Sequence, residues 1–369
     1  MKRTISIKIK VTAEDSQELF KLGHHFVSAC NEIIPFAMEH RCWNRVALHH
    51  LCYSKIRKES PLGSQMVCNA IFAVCKAYKN RGIEKSEEVP KIQFRKNASV
   101  HFDKRTYSIK GKILSLYTLG KRIKAEMRMS DFQEQYFAQG IPKEAELICK
   151  KGKWFFNLVL DLPDPALSQS DKLLGVDLGE NNAAAMSSGK LICGGKIRFQ
   201  RDQYLAMRRR LQSNGSQSAK QLLKKISGKE ARWMKHVNHE MSNEIIKEAL
   251  QMGAGMIVLE DLKNMRTRIK GSKRNRTRLH RWAFNQLQLF VEYKAQGRGL
   301  GIVYMNPAYT SQICSSCGAL GARQKHRFTC SCGNQQHSDL NASRNLCRFA
   351  LSADRATCAV NRTHVAVNR

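Results

Sequence analysis

At 369 residues the chain is too long for one compact core, and 42% apolar residues is ordinary for a globular protein, so about two to four domains are expected. Lysine and arginine outnumber aspartate and glutamate by 63 to 30, a net charge of +33 that calls for a polyanionic partner, with nucleic acid the first expectation and an anionic membrane surface the second. The opening stretch MKRTISIKIKVTAEDSQ lacks the apolar core of a secretion signal, and no apolar run approaches the ~18 residues that span a bilayer, so a reduced, cytoplasmic setting is expected.

TISIKIKV (4–11) alternates apolar and polar residues and predicts a strand. Residues 13–82 are helical in pattern, punctuated at SPLGS (60–64). From about 90 the pattern turns to strands, in SVHFDKRTYSIKGKILSLYTLG and AELICKKGKWFFNLVLDLP, where KKGK (150–153) reads as a hairpin turn. The simplest account is one small β-barrel interrupted by a helical insert, and the alternative is two separate domains. DLPDPALSQSD (161–171) is a linker. Beyond it come a short strand LLGVDLG, a hairpin AAAMSSGKLICGG and a long basic helical stretch (202–250) broken near QSNGSQS. A buried-type strand AGMIVLEDL, an amphipathic helix (278–299) and a second buried strand LGIVYMNP follow. This is an α/β layout with a mixed sheet. The tail from about 348 has little pattern and is expected to be a mobile end.

Cys314-x2-Cys317 and Cys330-x1-Cys332 bring four thiols into two close pairs, the ligand set of a closed, tetrahedral, structural Zn²⁺ site. Gly318 and Gly333 follow the second cysteine of each pair, where the chain must turn back around a metal. The other nine cysteines are scattered without pairing rhythm. His326 and His337 lie nearby and read as phosphate contacts or solvated residues, since four cysteines already satisfy Zn²⁺.

Three acids stand in related settings. Asp177 ends LLGVD, Glu260 ends MIVLE, and Asp339 opens DLNASRNL just past the cysteines. Acids at the ends of adjacent strands can sit side by side, and clustered carboxylates repel unless cations neutralise them. Hard oxygen ligands select Mg²⁺ or Mn²⁺, and a pair of such ions is suited to attack on a phosphodiester. Each acid alone reads equally as a turn or cap residue, and Asp261 reads as a loop residue. No Walker A, HExxH, GxSxG or EF-hand pattern occurs, so ATP-driven and serine-hydrolase chemistry have no support.

GVDLGENNAAA (175–185), IVLEDLKN (257–264) and DLNASRNL (339–346) resemble the three RuvC motifs of the TnpB family, transposon-encoded relatives of type V CRISPR effectors. The CxxC…CxC insert is similar to the zinc ribbon, or target-nucleic-acid-binding domain, of that family, KKISGKEARWMKHVNHEMSNEIIKEA (224–249) to its helix before the second motif, and HFDKRTYSIKGKILSLYTLGKR (101–122) to its wedge domain. The resemblance implies an α/β RNase H-like (RuvC) nuclease domain with an inserted zinc ribbon, plus an N-terminal β-barrel (wedge) carrying a helical recognition domain. The boundaries expected are 1–11 and 90–165 for the wedge and 12–89 for the recognition helices. The nuclease domain takes 171–310 and 333–350, the ribbon 311–332 and the tail 351–369. It further implies an RNA-guided, metal-dependent DNA endonuclease of a bacterial or archaeal transposon. Such a protein is cytoplasmic and nucleoid-associated, binds a guide (ω) RNA, and cuts double-stranded DNA beside a transposon-adjacent motif. Carried over by position, Asp177, Glu260 and Asp339 bind Mg²⁺ or Mn²⁺, Cys314, Cys317, Cys330 and Cys332 hold Zn²⁺, and Arg327 lies where an arginine would approach the scissile phosphate. A guided DNA-binding regulator that does not cut, and an unguided transposase or integrase, are the alternatives. The basic runs KGSKRNRTRLHRW (270–282), MRRRLQ (207–212) and KIQFRKN (91–97) are candidate backbone contacts, and Tyr107, Trp154 and Phe155 are either base-stacking residues or core.

Overall fold

The computed structural model describes residues 1–83, 87–262, 284–306 and 310–352. The basic run at 270–282 and most of the expected C-terminal tail lie outside them. The chain divides into two units, Met1–Pro163 and Asp164–Arg369.

In the first unit, strand β1 (Lys2–Lys10) is followed by three helices, α1 (Ala13–Glu39), α2 (Arg45–Glu59) and α3 (Ser64–Lys79). Side-chain caps set two of the starts: Thr12 accepts from the Asp15 N–H, and Asn44 accepts from Val46 and Ala47. Six strands follow, β2 (Val100–Phe102), β3 (Tyr107–Lys110), β4 (Ile113–Tyr117), β5 (Arg122–Arg128), β6 (Ile141–Lys150) and β7 (Lys153–Asp161), with helix α4 (Asp131–Gln139) between β5 and β6. All seven strands form one antiparallel sheet in the order β2-β6-β7-β1-β5-β4-β3. The end strands do not pair with each other, so the sheet is an open ladder. It nevertheless curls, because Tyr107 on one end strand donates to the Lys143 carbonyl of β6 at 2.8 Å. The KKGK turn is a two-residue hairpin, with Lys151 and Gly152 in the left-handed region and Lys150 paired to Lys153.

One continuous core joins sheet and helices in this unit, from Ile5, Ile7 and Ile9 through Leu19, Phe26 and Val67 to Phe102 and Phe156. Tyr107 and Trp154 belong to it, at 5% and 6% exposure, with Tyr107 edge-on to Phe156 and the Trp154 indole N–H on Ser16 at 2.9 Å. The base-stacking reading of those two aromatics is therefore set aside.

The second unit centres on a five-stranded mixed sheet. Its strands are β8 (Leu173–Asp177), β9 (Asn182–Met186), β10 (Leu191–Cys193), β11 (Met256–Glu260) and β12 (Gly301–Met305), in the order β10-β9-β8-β11-β12. The first three pair antiparallel, whereas β8, β11 and β12 run parallel. Between β10 and β11 lie helices α5 (Gly195–Asn214) and α6 (Gln217–Gln251). Gly215, at φ 67°, closes α5, and the Ser216 hydroxyl caps α6, which explains the break in the basic helical stretch. Helix α7 (Phe284–Gln296) leads into β12. Then come three short strands, β13 (Ala322–Gln324), β14 (Arg327–Thr329) and β15 (Gln335–His337), and helix α8 (Ser338–Ser352), which packs on β8, β9, β11 and β12. The strand order, counted 3-2-1-4-5 along the chain, is that of an RNase H-like sheet.

Candidate active site and zinc ribbon

Parallel pairing sets the first two acids side by side. Leu259 of β11 aligns with Val176 of β8, and the next residue on each strand is Glu260 and Asp177. The carboxyl ends of adjacent parallel strands are the usual position for a site in an α/β sheet. Each of the two carboxyls alters the other's hold on its proton. Burial, then the charge of Asp339, pushes Asp177 up to about 7. Glu260 is 7% exposed, and burial followed by the charge of Asp177 pushes it up to about 9, against a bond from Thr310 that favours the carboxylate. Two carboxylates so placed cannot both stay ionised at neutral pH without a cation. Gln288 of α7 fixes the strand end by donating to the Glu260 carbonyl at 2.7 Å.

Asp339 stands in the first turn of α8, where the helix dipole favours negative charge. Its carboxylate accepts from Asn182 at 3.0 Å and from Arg323 at 3.3 Å, and its charge raises both Asp177 and Glu260. Asp339 thus acts on the side-by-side pair of Asp177 and Glu260 through its charge. Hard carboxylate oxygens around a site that resists full ionisation fit Mg²⁺ or Mn²⁺.

Helix α8 can reach this position because β8 carries glycine where the two meet. A β-carbon on Gly175 would stand 2.0 Å from the Ser343 carbonyl oxygen and 2.9 Å from the Cys347 sulfur. Two fully buried asparagines, four residues apart on α8, tie the helix to the root of the ribbon. Asn341 donates to the Ile313 carbonyl at 2.7 Å and accepts from the Ser315 N–H at 2.9 Å. Asn345 donates to the carbonyls of Thr310 and Ile313 at 2.8 and 2.6 Å.

In the ribbon, the Cys314 and Cys332 sulfurs are 3.7 Å apart and those of Cys317 and Cys330 3.5 Å, with all four mutually within 4.8 Å. Four thiolates at about 2.3 Å from a tetrahedral Zn²⁺ would be about 3.8 Å apart, so the cluster fits that ion. Burial alone would raise the Cys314 thiol, but the Asn334 amide and the N–H groups of Cys317 and Ser316 outweigh it and hold Cys314 down at about 6. Gly318 and Gly333 have φ of 84° and 87°, the left-handed turns expected behind each cysteine pair.

Arg327 lies on β14, exposed, with its guanidinium on Gln335 at 2.6 Å. A second arginine, Arg323 of β13, pairs with Asp339 at 3.3 Å. Sequence reasoning did not single out Arg323, Asn182, Asn341 or Asn345. A pair of asparagines at i and i+4 inside a helix was a usable signal, because asparagine is a poor helix former unless its amide has a partner.

Residues 157–266 match a family model described as a probable transposase, and residues 284–346 match the TNB domain of Cas12f1-like proteins. A TnpB-like protein of Methanocaldococcus jannaschii is 44% identical over 107 residues, 29% of this chain and 38% of the relative. These matches support a likeness to the TnpB family over the second half of the chain. Another relative, the CRISPR-associated endodeoxyribonuclease Cas12f1 of Sulfoacidibacillus thermotolerans, is 29% identical over 218 residues, covering 53% of this chain and 50% of the relative. The chain thus spans at most about half the length of these curated relatives. Among solved structures, a Cas12f1 complex with single-guide RNA and target DNA superposes with a TM-score of 0.65 at 14% identity, covering 94% of this chain and 98% of that one. A Cas-phi3 RNA-guided endonuclease gives 0.56 at 12% identity, covering 95% and 92%. At these identities the likeness is one of fold alone.

Proposed function

We propose that this chain is a TnpB-type RNA-guided DNA endonuclease of a transposon. The observation that carries the reading is the charge coupling of Asp177, Glu260 and Asp339, which stand on two parallel strands and one helix. In this reading the three carboxylates hold Mg²⁺ or Mn²⁺, which when bound supply an activated water and a stabilised leaving oxygen. The chain's own residues hold the negative charge in place: Gln288 fixes the Glu260 backbone, Asn182 orients Asp339, and Arg323 neutralises it. Zn²⁺ at Cys314, Cys317, Cys330 and Cys332 shapes the ribbon from which α8 departs.

The net charge of +33 fits a partner set of guide RNA and double-stranded DNA, contacted along their backbones while base pairing reads the sequence. The first unit, with its curled sheet and four helices, would serve as wedge and recognition module, and the second as nuclease and ribbon. No described helix is long and apolar enough to cross a membrane. A guided regulator that has given up cutting would have no need of three coupled acids.

The test is to express the chain with its native flanking DNA, sequence the RNA that copurifies, and offer the complex a matching duplex with Mg²⁺. A discrete RNA reaching past the element boundary, with cleavage abolished by Asp177→Ala, is expected. A smear of cellular RNA and cleavage unaffected by that substitution would overturn the reading.

A further inference from the structure

Beside the acids lies a second group of potential ligands. His326, His337 and Asp339 each place one ligand atom so that all three lie within 4.8 Å of one another. Backbone bonds fix the arrangement. Lys325, at φ 51°, turns the tight hairpin between β13 and β14, and His326 is the next residue. The Ser338 N–H then donates to the His326 carbonyl at 2.8 Å, clamping the start of α8 to that hairpin. The two imidazoles lie nearly parallel, 19° apart with centroids at 5.4 Å. The Asp339 N–H approaches His337 Nδ1 at 3.2 Å, which leaves the ring proton on Nε2 beside the Asn182 side chain, so an ion reaches His337 at Nδ1 by displacing that long N–H bond.

We propose that His326, His337 and Asp339 form a site for a divalent transition-metal ion of the Zn²⁺ class, separate from the four cysteines. Two imidazoles and one carboxylate are the donor set that such ions prefer and that Mg²⁺, which favours oxygen, does not. Three protein ligands leave a position open to water. The Arg323 guanidinium, 3.3 Å from the Asp339 carboxylate, opposes a second cation and makes the site weaker than the ribbon. It does not close it, because each carboxylate oxygen has two lone pairs. Asp339 also belongs to the acid trio, so a metal held by the histidines draws on a carboxylate that the cleavage cations need. Zn²⁺ at this position therefore competes with Mg²⁺. That consequence rests on the nuclease reading, whereas metal binding stands on these three residues alone.

The test uses the full chain carrying one Zn²⁺ in the ribbon, dialysed against low-micromolar free Zn²⁺ and assayed for metal content. Wild-type protein is expected to take up a second equivalent. His326→Ala and His337→Ala should weaken that uptake about tenfold or more, since even outer partners of a metal ligand are worth about tenfold. His326 is exposed on a turn, so His326→Gln provides a variant whose folding is undisturbed, checked by its melting curve. A wild type that stops at one equivalent, or a His326→Gln chain that still takes two, overturns the site. A chain that takes up the second ion but cleaves no DNA under any condition would overturn the nuclease reading and leave the site standing.

Discussion

Gly175 and Ser343 meet so closely that the carbonyl oxygen of Ser343 occupies the place where any other residue at 175 would carry its β-carbon, 2.0 Å away. One contact thereby sets the distance between the strand bearing Asp177 and the helix bearing Asp339. Gly175→Ala should force α8 outward. Overpacking of this kind costs about 1–3 kcal/mol or more, and thermal unfolding would read it. Cleavage should fall further than stability does, since Asp339 moves with the helix. A variant that melts and cuts like wild type would show that α8 adapts freely.

Asp177→Asn removes one of two buried carboxyls that repel when ionised. Its effect on the metal-free protein and on activity should have opposite signs. Without divalent cation the variant should melt higher than wild type at pH 8, because the penalty of a buried charge is gone. With Mg²⁺ it should bind target DNA but cut it at least about a thousandfold more slowly, a barrier rise of about 4 kcal/mol.

The elevated values of Asp177 and Glu260 imply a pH dependence of stability. Both groups hold their protons more tightly folded than unfolded, so their favourable contribution is complete below about pH 4. It is lost as pH rises through about 7 and about 9. Metal-free protein should therefore lose stability across pH 5 to 9. Mg²⁺ binds the ionised form, so its stabilising shift in melting temperature should be larger at pH 8.5 than at pH 5.5. Equal shifts at both would mean that these acids do not hold the cation.

Arg323 and Arg327 sit four residues apart, yet the first pairs with Asp339 and the second with Gln335. Arg323→Ala should lower the Mg²⁺ concentration for half-maximal stabilisation a few-fold, by removing a competing positive charge worth about 1 kcal/mol. Arg327→Ala should leave it unchanged. A titration of melting temperature against Mg²⁺ separates the two.

Cys330→Ser should release Zn²⁺ and reach the acids as well. The ribbon root holds α8 through Asn341 and Asn345, so loosening it should disturb Asp339. Metal analysis should show one fewer Zn²⁺ per chain, with a lower melting temperature and reduced cleavage. Intact metal content would exclude the four-cysteine site.

What could be read from the residues followed period and spacing. Five-residue apolar runs ending in an acid announced β8 and β11, and two cysteine pairs announced the ribbon, because each pattern is local. Helix α4 passed unnoticed, since its nine residues bury no side chain and its start rests on a Ser130–Gln133 capping box. The barrel is an open ladder because closure depends on which strands meet, a long-range matter that alternation does not encode. Arg323 escaped for the same reason: its partner, sixteen residues on, becomes a neighbour only once the ribbon has folded.

The order of the acids along the chain has a consequence for synthesis. Asp177 and Glu260 are paired within the sheet, but Asp339 rides on a helix that follows the ribbon. A ribosome adding about 5–20 residues per second releases the first two acids while the third is still unmade. On the proposed nuclease reading, the nascent protein would gather RNA before it could cut anything, and capture of zinc by the emerging ribbon would be the last step before the three acids are complete.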